Sequence, residues 1–190
     1  MDTTEGMHAP LGKYVLNNVN FGKHDPLVPL CRSAGYKVIQ NPSDPEAVLI
    51  TLPVKWEGVP FSKFVKNGVE IEVNLESAIE QLERYKMLMV NWCEQNVSAT
   101  ISYSVDEVPA IVDWLLTNWD NYVGVSFLFR ADPTKTAADL GYLYLPQEVV
   151  TKAVYDDYVA NLQPIDLNQG TDVLDAVLED ECAGGACPIR

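Results

Sequence analysis

Three consecutive segments constrain this chain more than any others. Val97 to Tyr103 (VSATISY) is rich in strand-forming residues. Val108 to about Asn118 carries Ile111, Val112, Trp114 and Leu115 at helical spacing. Tyr122 to Phe129 (YVGVSFLF) is again apolar and strand-forming. A strand, a helix and a strand at this spacing form a βαβ unit, which imposes a parallel strand pair. Val108-Pro109 falls in the first turn of the helix, with Asp106 as the predicted cap. The apolar run Tyr122–Phe129 predicts a buried strand.

The flanking sequence extends the alternation. Asp25 is the predicted N-cap of a helix that has Pro26 at its first position, reaches Ala34 and is stopped by Gly35. Ala47 to Val54 (AVLITLPV) reads as a buried strand, with Pro53 marking its end or an edge. Asn74 is the predicted cap of a long helix through Leu75, Ala78, Ile79, Leu82, Tyr85, Met89, Val90 and Cys93. Thr151 caps a last helix ending near Leu162. The fold class is therefore α/β. The predicted division is a folded body over residues 1–162 and a flexible acidic tail over residues 163–190.

Charge sharpens that division. The 190 residues carry 13 Lys+Arg against 27 Asp+Glu, a formal charge of -14. From Tyr155 to Cys187 there are eight acids and no Lys or Arg. This balance disfavours a direct nucleic-acid partner and an anionic membrane surface. No apolar run approaches the ~20 residues that span a bilayer. Met1 to Gly6 has neither the basic nor the apolar region of a signal peptide. With only four cysteines, Cys31, Cys93, Cys182 and Cys187, a disulfide scaffold is not expected, and a cytoplasmic location with free thiols is.

Phosphate-cradling motifs are absent: there is neither G-x-x-x-x-G-K-[ST] nor G-x-G-x-x-G after a strand. His8 and His24, the only histidines, lack helical spacing to other ligand types and read as surface or loop residues, so no metal site is expected. Cys31 and Cys93 fall on apolar helix stripes and read as small buried hydrophobes. Cys182 and Cys187 differ. Ala-Gly-Gly-Ala between them lets the backbone fold back and the sulfurs meet. They read as a dithiol that opens and closes, with incidental thiols or half of a zinc site as alternatives. About twenty extended residues between Gln163 and Cys182 reach at most ~65 Å, enough for the pair to enter a site and leave it.

Cys182-x4-Cys187 followed by Pro-Ile-Arg resembles the terminus of adenosylcobalamin-dependent (class II) ribonucleotide reductases. The body resembles the late region of the same family, closest to its monomeric, triphosphate-reducing branch. The similar motifs are Glu5-Gly6-Met7-His8-Ala9-Pro10-Leu11-Gly12-Lys13-Tyr14, Asn17-Asn18-Val19-Asn20-Phe21, Asn96-Val97-Ser98-Ala99-Thr100-Ile101, Tyr122-Val123-Gly124-Val125-Ser126 and Tyr144-Leu145-Pro146-Gln147-Glu148.

The resemblance implies the C-terminal portion of a ten-stranded α/β barrel, with Ala47–Val54, Val97–Tyr103 and Tyr122–Phe129 among its last strands. It implies adenosylcobalamin as cofactor of the complete enzyme and a ribonucleoside triphosphate as substrate. It also implies an upstream N-terminal portion as partner. Cys182 and Cys187 match the family's redox shuttle pair, which re-reduces an active-site disulfide and is renewed by thioredoxin or a similar reductant.

One departure is instructive. Asn91-Trp92-Cys93-Glu94-Gln95 has Gln where the family's thiyl motif, N-x-C-x-E, needs Glu, and it precedes the N-V-S-x-T strand. The radical cysteine thus belongs to the upstream portion. Met1 is read as the start of a split-gene product, a spliced piece or a truncated gene. The alternative function is a stand-alone redox-tail or interaction protein.

Overall fold

The structure, a computed structural model, describes residues 6–165. Most of the predicted acidic tail, with Cys182 and Cys187, lies outside the described residues. In chain order the elements are β1 (Met7–His8), β2 (Tyr14–Gly22), α1 (Leu27–Ser33), β3 (Val38–Gln40), β4 (Ala47–Lys55), β5 (Ser62–Lys66) and β6 (Val69–Val73). After these come α2 (Ala78–Asn91), β7 (Ala99–Tyr103), α3 (Val108–Thr117), β8 (Ser126–Phe129), β9 (Gln147–Val149) and α4 (Lys152–Ala160).

The βαβ expectation holds. β7 and β8 are parallel, paired from Thr100↔Ser126 to Tyr103↔Phe129, and α3 is their crossover. β1 adds to the other side of β7, also parallel, giving the order β1-β7-β8. The helices α2 and α3 cover one face of this sheet. Ala78, Leu82, Tyr85, Ala99, Ile101, Ile111 and Trp114 form the core between them.

Local chemistry sets the helix starts, and it moves three of the predicted caps. α2 begins after Ser77, whose Oγ accepts from the Glu80 N–H at 3.2 Å while the Glu80 carboxylate accepts the Ser77 N–H at 2.9 Å. This reciprocal box satisfies two orphan donors. Asn74 instead makes an Asx turn, its Oδ1 accepting from the Glu76 N–H at 2.9 Å. α3 is entered through a 3-10 turn in which the Ser104 N–H donates to the Glu107 carboxylate at 2.7 Å, and Asp106 plays no such part. Thr151 Oγ1 accepts from the Val154 N–H at 3.2 Å, the cap its sequence context predicts, whereas α1 starts at Leu27 with Pro26 at its N-cap, and Asp25, one residue further out, accepts from the Leu27 N–H at 2.8 Å. α2 ends at Asn91, so Cys93 leaves the buried stripe and sits half-buried beyond the helix.

The Ala47–Val54 strand was expected beside the parallel strands. It belongs to a separate antiparallel sheet, β3-β4-β2-β9. β4 is paired along nine positions with β2, from Tyr14↔Lys55 to Gly22↔Ala47. That long register outcompetes any parallel neighbour. The strand passes through Pro53, because the Thr51 N–H points to Lys37 on the β3 side and Pro53 lies two residues on, past the start of β3. The missing N–H therefore faces an open edge. α1 packs on this sheet through Val28 and Cys31 against Val48 and Ile50. The Gln163 N–H donates to the Ala34 carbonyl, and Ile165 packs against the same cluster.

A second correction concerns Tyr122–Phe129. Only its last four residues form β8, and all four are exposed, because β7 is the sole strand paired with them among the described residues. β5 and β6 form a hairpin that joins neither sheet, closed by Asn67 (φ 52°) and Gly68 (φ 79°). Two successive positive φ angles are what a type I′ turn needs, and Asn-Gly supplies them.

Leu82 is completely buried at the centre of the parallel-sheet core. Leu82→Ala is expected to cost about 2–5 kcal/mol of stability. Urea unfolding of the full chain, read as a lowered midpoint with an unchanged slope, checks this.

Candidate functional site

The predicted redox pair, Cys182 and Cys187, lies outside the described residues. The other two cysteines are free thiols. Cys31 is buried on α1, and burial pushes its thiol above the usual range, with Asp25 acting in the same direction. A thiol held in its protonated form is a poor nucleophile. Cys93, half-buried, is remote in sequence and in packing from that cluster. The structure does not bring the two together.

The carboxyl ends of parallel strands are where α/β folds place ligands. Here those ends are fixed by a polar network that sequence reading missed. Gln81 is fully buried on α2. Its Nε2 donates to the Ser102 carbonyl at 3.0 Å and to Ser102 Oγ at 3.1 Å, while its Oε1 accepts the Ser102 N–H at 3.0 Å. Arg130 follows β8 and returns across β7. Its Nη1 pairs with Glu107 Oε2 at 3.1 Å, its Nε donates to Ser102 Oγ at 3.3 Å, and its Nη2 donates to the Ser102 carbonyl at 2.9 Å. Nη2 also donates to the Glu76 carbonyl.

Glu107 is equally engaged, accepting the Ala78 N–H at 2.7 Å on Oε1 and the Ser104 N–H on Oε2. Arg130 therefore braces β7, β8 and both helix starts. The visible signal was Gln81 itself, a polar residue on the Ala78–Leu82–Tyr85 apolar stripe.

His8 ends β1, with its Nδ1 3.0 Å from Thr100 Oγ1 on β7. His24 lies in the turn before α1. Among the described residues there is no group of three or more His, Cys, Asp or Glu side chains placed to hold a metal ion. No helix among them is long and apolar enough to cross a membrane.

The fold of this α/β chain is found in a solved structure. A crystal structure of a B12-dependent (class II) ribonucleotide reductase superposes with a TM-score of 0.59 at 20% identity, over 91% of this chain and 22% of that chain. Three proteins named as adenosylcobalamin-dependent ribonucleoside-triphosphate reductases show the same relationship in sequence. The protein of Levilactobacillus brevis is 27% identical over 195 residues, and that of Lactobacillus leichmannii 27% over 198. The Dictyostelium discoideum protein, named as a probable member, is 26% identical over 188 residues. Each match covers 98% of this chain, so the motif resemblance extends along nearly all of it. The chain spans about a quarter of the length of these curated relatives. No protein-family model matches it.

Two measurements test this geometry. Arg130→Met is expected to lower stability by about 1–3 kcal/mol, because Glu107 and Ser102 lose a partly buried partner; chemical denaturation reads the loss. With iodoacetamide near pH 8, Cys93 is expected to be alkylated before Cys31, whose raised pKa leaves less thiolate at any given pH. Peptide mass spectrometry orders the two.

Proposed function

We propose that this chain is the C-terminal quarter of an adenosylcobalamin-dependent ribonucleoside-triphosphate reductase, supplying late strands of its α/β barrel and its terminal redox dithiol. The observation that carries the reading is similarity along 98% of the chain to reductases about four times its length. The open flank of β8 supports it. Phe127, Leu128 and Phe129 are exposed on a strand that has one free edge among the described residues, a surface that isolated proteins avoid. The same observation weighs against a stand-alone redox-tail protein.

Adenosylcobalamin, when bound to the complete enzyme, supplies a radical by cobalt–carbon homolysis. The cleft lined by Lys13, Tyr14, Lys55, Trp56, Glu57, Gly58 and Val59 has a volume of about 260 Å³, too small for a corrin ring. No step assigned to this chain runs through the cofactor.

The step assigned to this chain is thiol–disulfide exchange. One thiolate of the Cys182/Cys187 pair attacks a sulfur of the active-site disulfide of the upstream portion and forms a mixed disulfide. The second thiol, as thiolate, displaces the remaining active-site sulfur. The active-site pair leaves as two thiols, and Cys182–Cys187 becomes the disulfide. Thioredoxin or a similar dithiol then returns two electrons and two protons to it.

The test uses the chain assembled with its upstream portion. With the active site pre-reduced, Cys187→Ser is expected to give about one deoxynucleotide per active site. With thioredoxin as the only reductant, turnover is expected to stop after that first product. Continued cycling by Cys187→Ser overturns the shuttle role. Absence of any cofactor-dependent deoxynucleotide from the wild-type assembly overturns the reductase reading.

A further inference from the structure

The β5–β6 hairpin joins neither sheet, and its turn carries a reaction of its own. The ladder closes at Lys66↔Val69, so Asn67 and Gly68 alone make the turn, and both are exposed. No other asparagine of the chain is followed by glycine.

That pairing of residues matters because the backbone nitrogen after an asparagine lies within reach of its side-chain amide. Once a base takes the Gly68 N–H proton, the nitrogen attacks Asn67 Cγ. The bond from Cγ to the side-chain nitrogen breaks, and that nitrogen takes a proton from water and leaves as ammonia. A five-membered succinimide remains. Water then adds to one of its two carbonyls. Opening at one yields aspartate, and opening at the other yields isoaspartate, whose Cβ and Cγ run in the main chain. No electrons are exchanged, and water is the only co-reactant. A side chain after the asparagine would crowd the attacking nitrogen. Gly68 has none, and no atom lies within 4 Å of where its Cβ would stand.

The turn is the restraint. Asn67 is held at φ 52° and Gly68 at φ 79°, and ring closure needs the main chain at Asn67 to rotate out of that arrangement. A two-stranded hairpin is marginal by itself. In β5 every residue but Phe64 is exposed. In β6 the buried residues are Ile71 and Val73, in the half away from the turn, while Val69 and Glu70 beside it are exposed. The side-chain ties of this half are two surface ion pairs, Lys63 with Glu70 at 2.8 Å and Lys66 with Asp132, and solvent weakens such pairs. The tip is thus able to open while the base stays packed.

We infer that Asn67–Gly68 is a site of spontaneous deamidation, at which the folded chain converts with age to aspartate and isoaspartate. The conversion acts on the hairpin. Isoaspartate adds a main-chain carbon to a two-residue turn whose fit to its strands depends on two positive φ angles. Either product adds a negative charge next to Lys66, which ties the hairpin to Asp132. The site is independent of the reductase reading and stands or falls without it.

The test incubates the full chain at pH 8 and 37 °C, in buffer and in urea, with samples taken over weeks. Peptide mass spectrometry locates the exchange of an amide for an acid. An isoaspartyl methyltransferase with labelled S-adenosylmethionine counts the isoaspartate. In the folded chain Asn67 is expected to convert before any other asparagine. Its rate is expected to fall less than about a hundred-fold below the rate in urea, as for a segment that opens by itself. Asn67→Ala is expected to remove the methyl-accepting signal. Amide exchange of β5 and β6 is expected to quicken in the aged chain.

Earlier conversion of another asparagine in the folded chain overturns the proposal. So does a slowing beyond a hundred-fold, or a methyl-accepting signal that persists in Asn67→Ala. Unchanged amide exchange in the aged chain overturns the effect on the hairpin.

Discussion

The parallel half of the molecule depends on the pairing of Gln81 with Ser102. A fully buried amide is costly unless its groups find partners, and Gln81 finds them on the backbone and hydroxyl of a single residue. That pairing fixes where α2 sits along β7. The Ala78–Leu82–Tyr85 stripe then meets Ala99 and Ile101, and α3 closes the layer with Ile111 and Trp114. Arg130 extends the brace from β7 to the end of β8 and, through Glu107, to the starts of both helices. Among the described residues β8 keeps one unpaired edge, presented on a frame that is itself satisfied.

The antiparallel half is built on a different rule. Its stability comes from the long β2–β4 register and from α1 packed on one side. Polar residues of β2 do cross-strand work: Thr51 donates to Asn18 Oδ1 at 2.7 Å, and Asn18 donates to Glu148 at 2.7 Å and to the Leu145 carbonyl at 2.8 Å. One asparagine thus links β4, β2 and β9. The motifs Asn17–Phe21 and Tyr144–Glu148, which resemble the reductases separately in sequence, meet here in space.

Legibility followed the physics of each element. The βαβ unit was readable because apolar periodicity switches twice within a short span. The cap at Thr151 was readable because it is a hydroxyl residue directly ahead of a helical pattern, whereas Pro26 shifted the start of α1 by one residue past the position expected from Asp25. Asn74 and Asp106 misled because they are good caps standing close to better-placed serines. β2 was hidden by its asparagines, which are poor strand formers and are used here for side-chain bonds. The β5–β6 hairpin carried a clear Asn67-Gly68 signal that pattern reading of the longer elements passed over. Of the candidate site, Cys182 and Cys187 were singled out by their spacing and lie outside the described residues. The pairing of β1 with β7 was not legible, because register cannot be read from positions about ninety residues apart.

That separation has a consequence for how the chain comes off the ribosome. Met7 pairs with Ala99, and β8 must then add to β7. The antiparallel β2–β4 pair and the β5–β6 hairpin involve nearer neighbours and can form while the rest is still being made. β1 must wait, its partner unsynthesised, until about ninety further residues have emerged. Loop closure of that length is slow to be rewarded, so the order of birth is antiparallel half first, parallel half last. The unpaired edge of β8 among the described residues is completed by the same late event. A nascent chain therefore exposes that edge only when the sheet that carries it is already built.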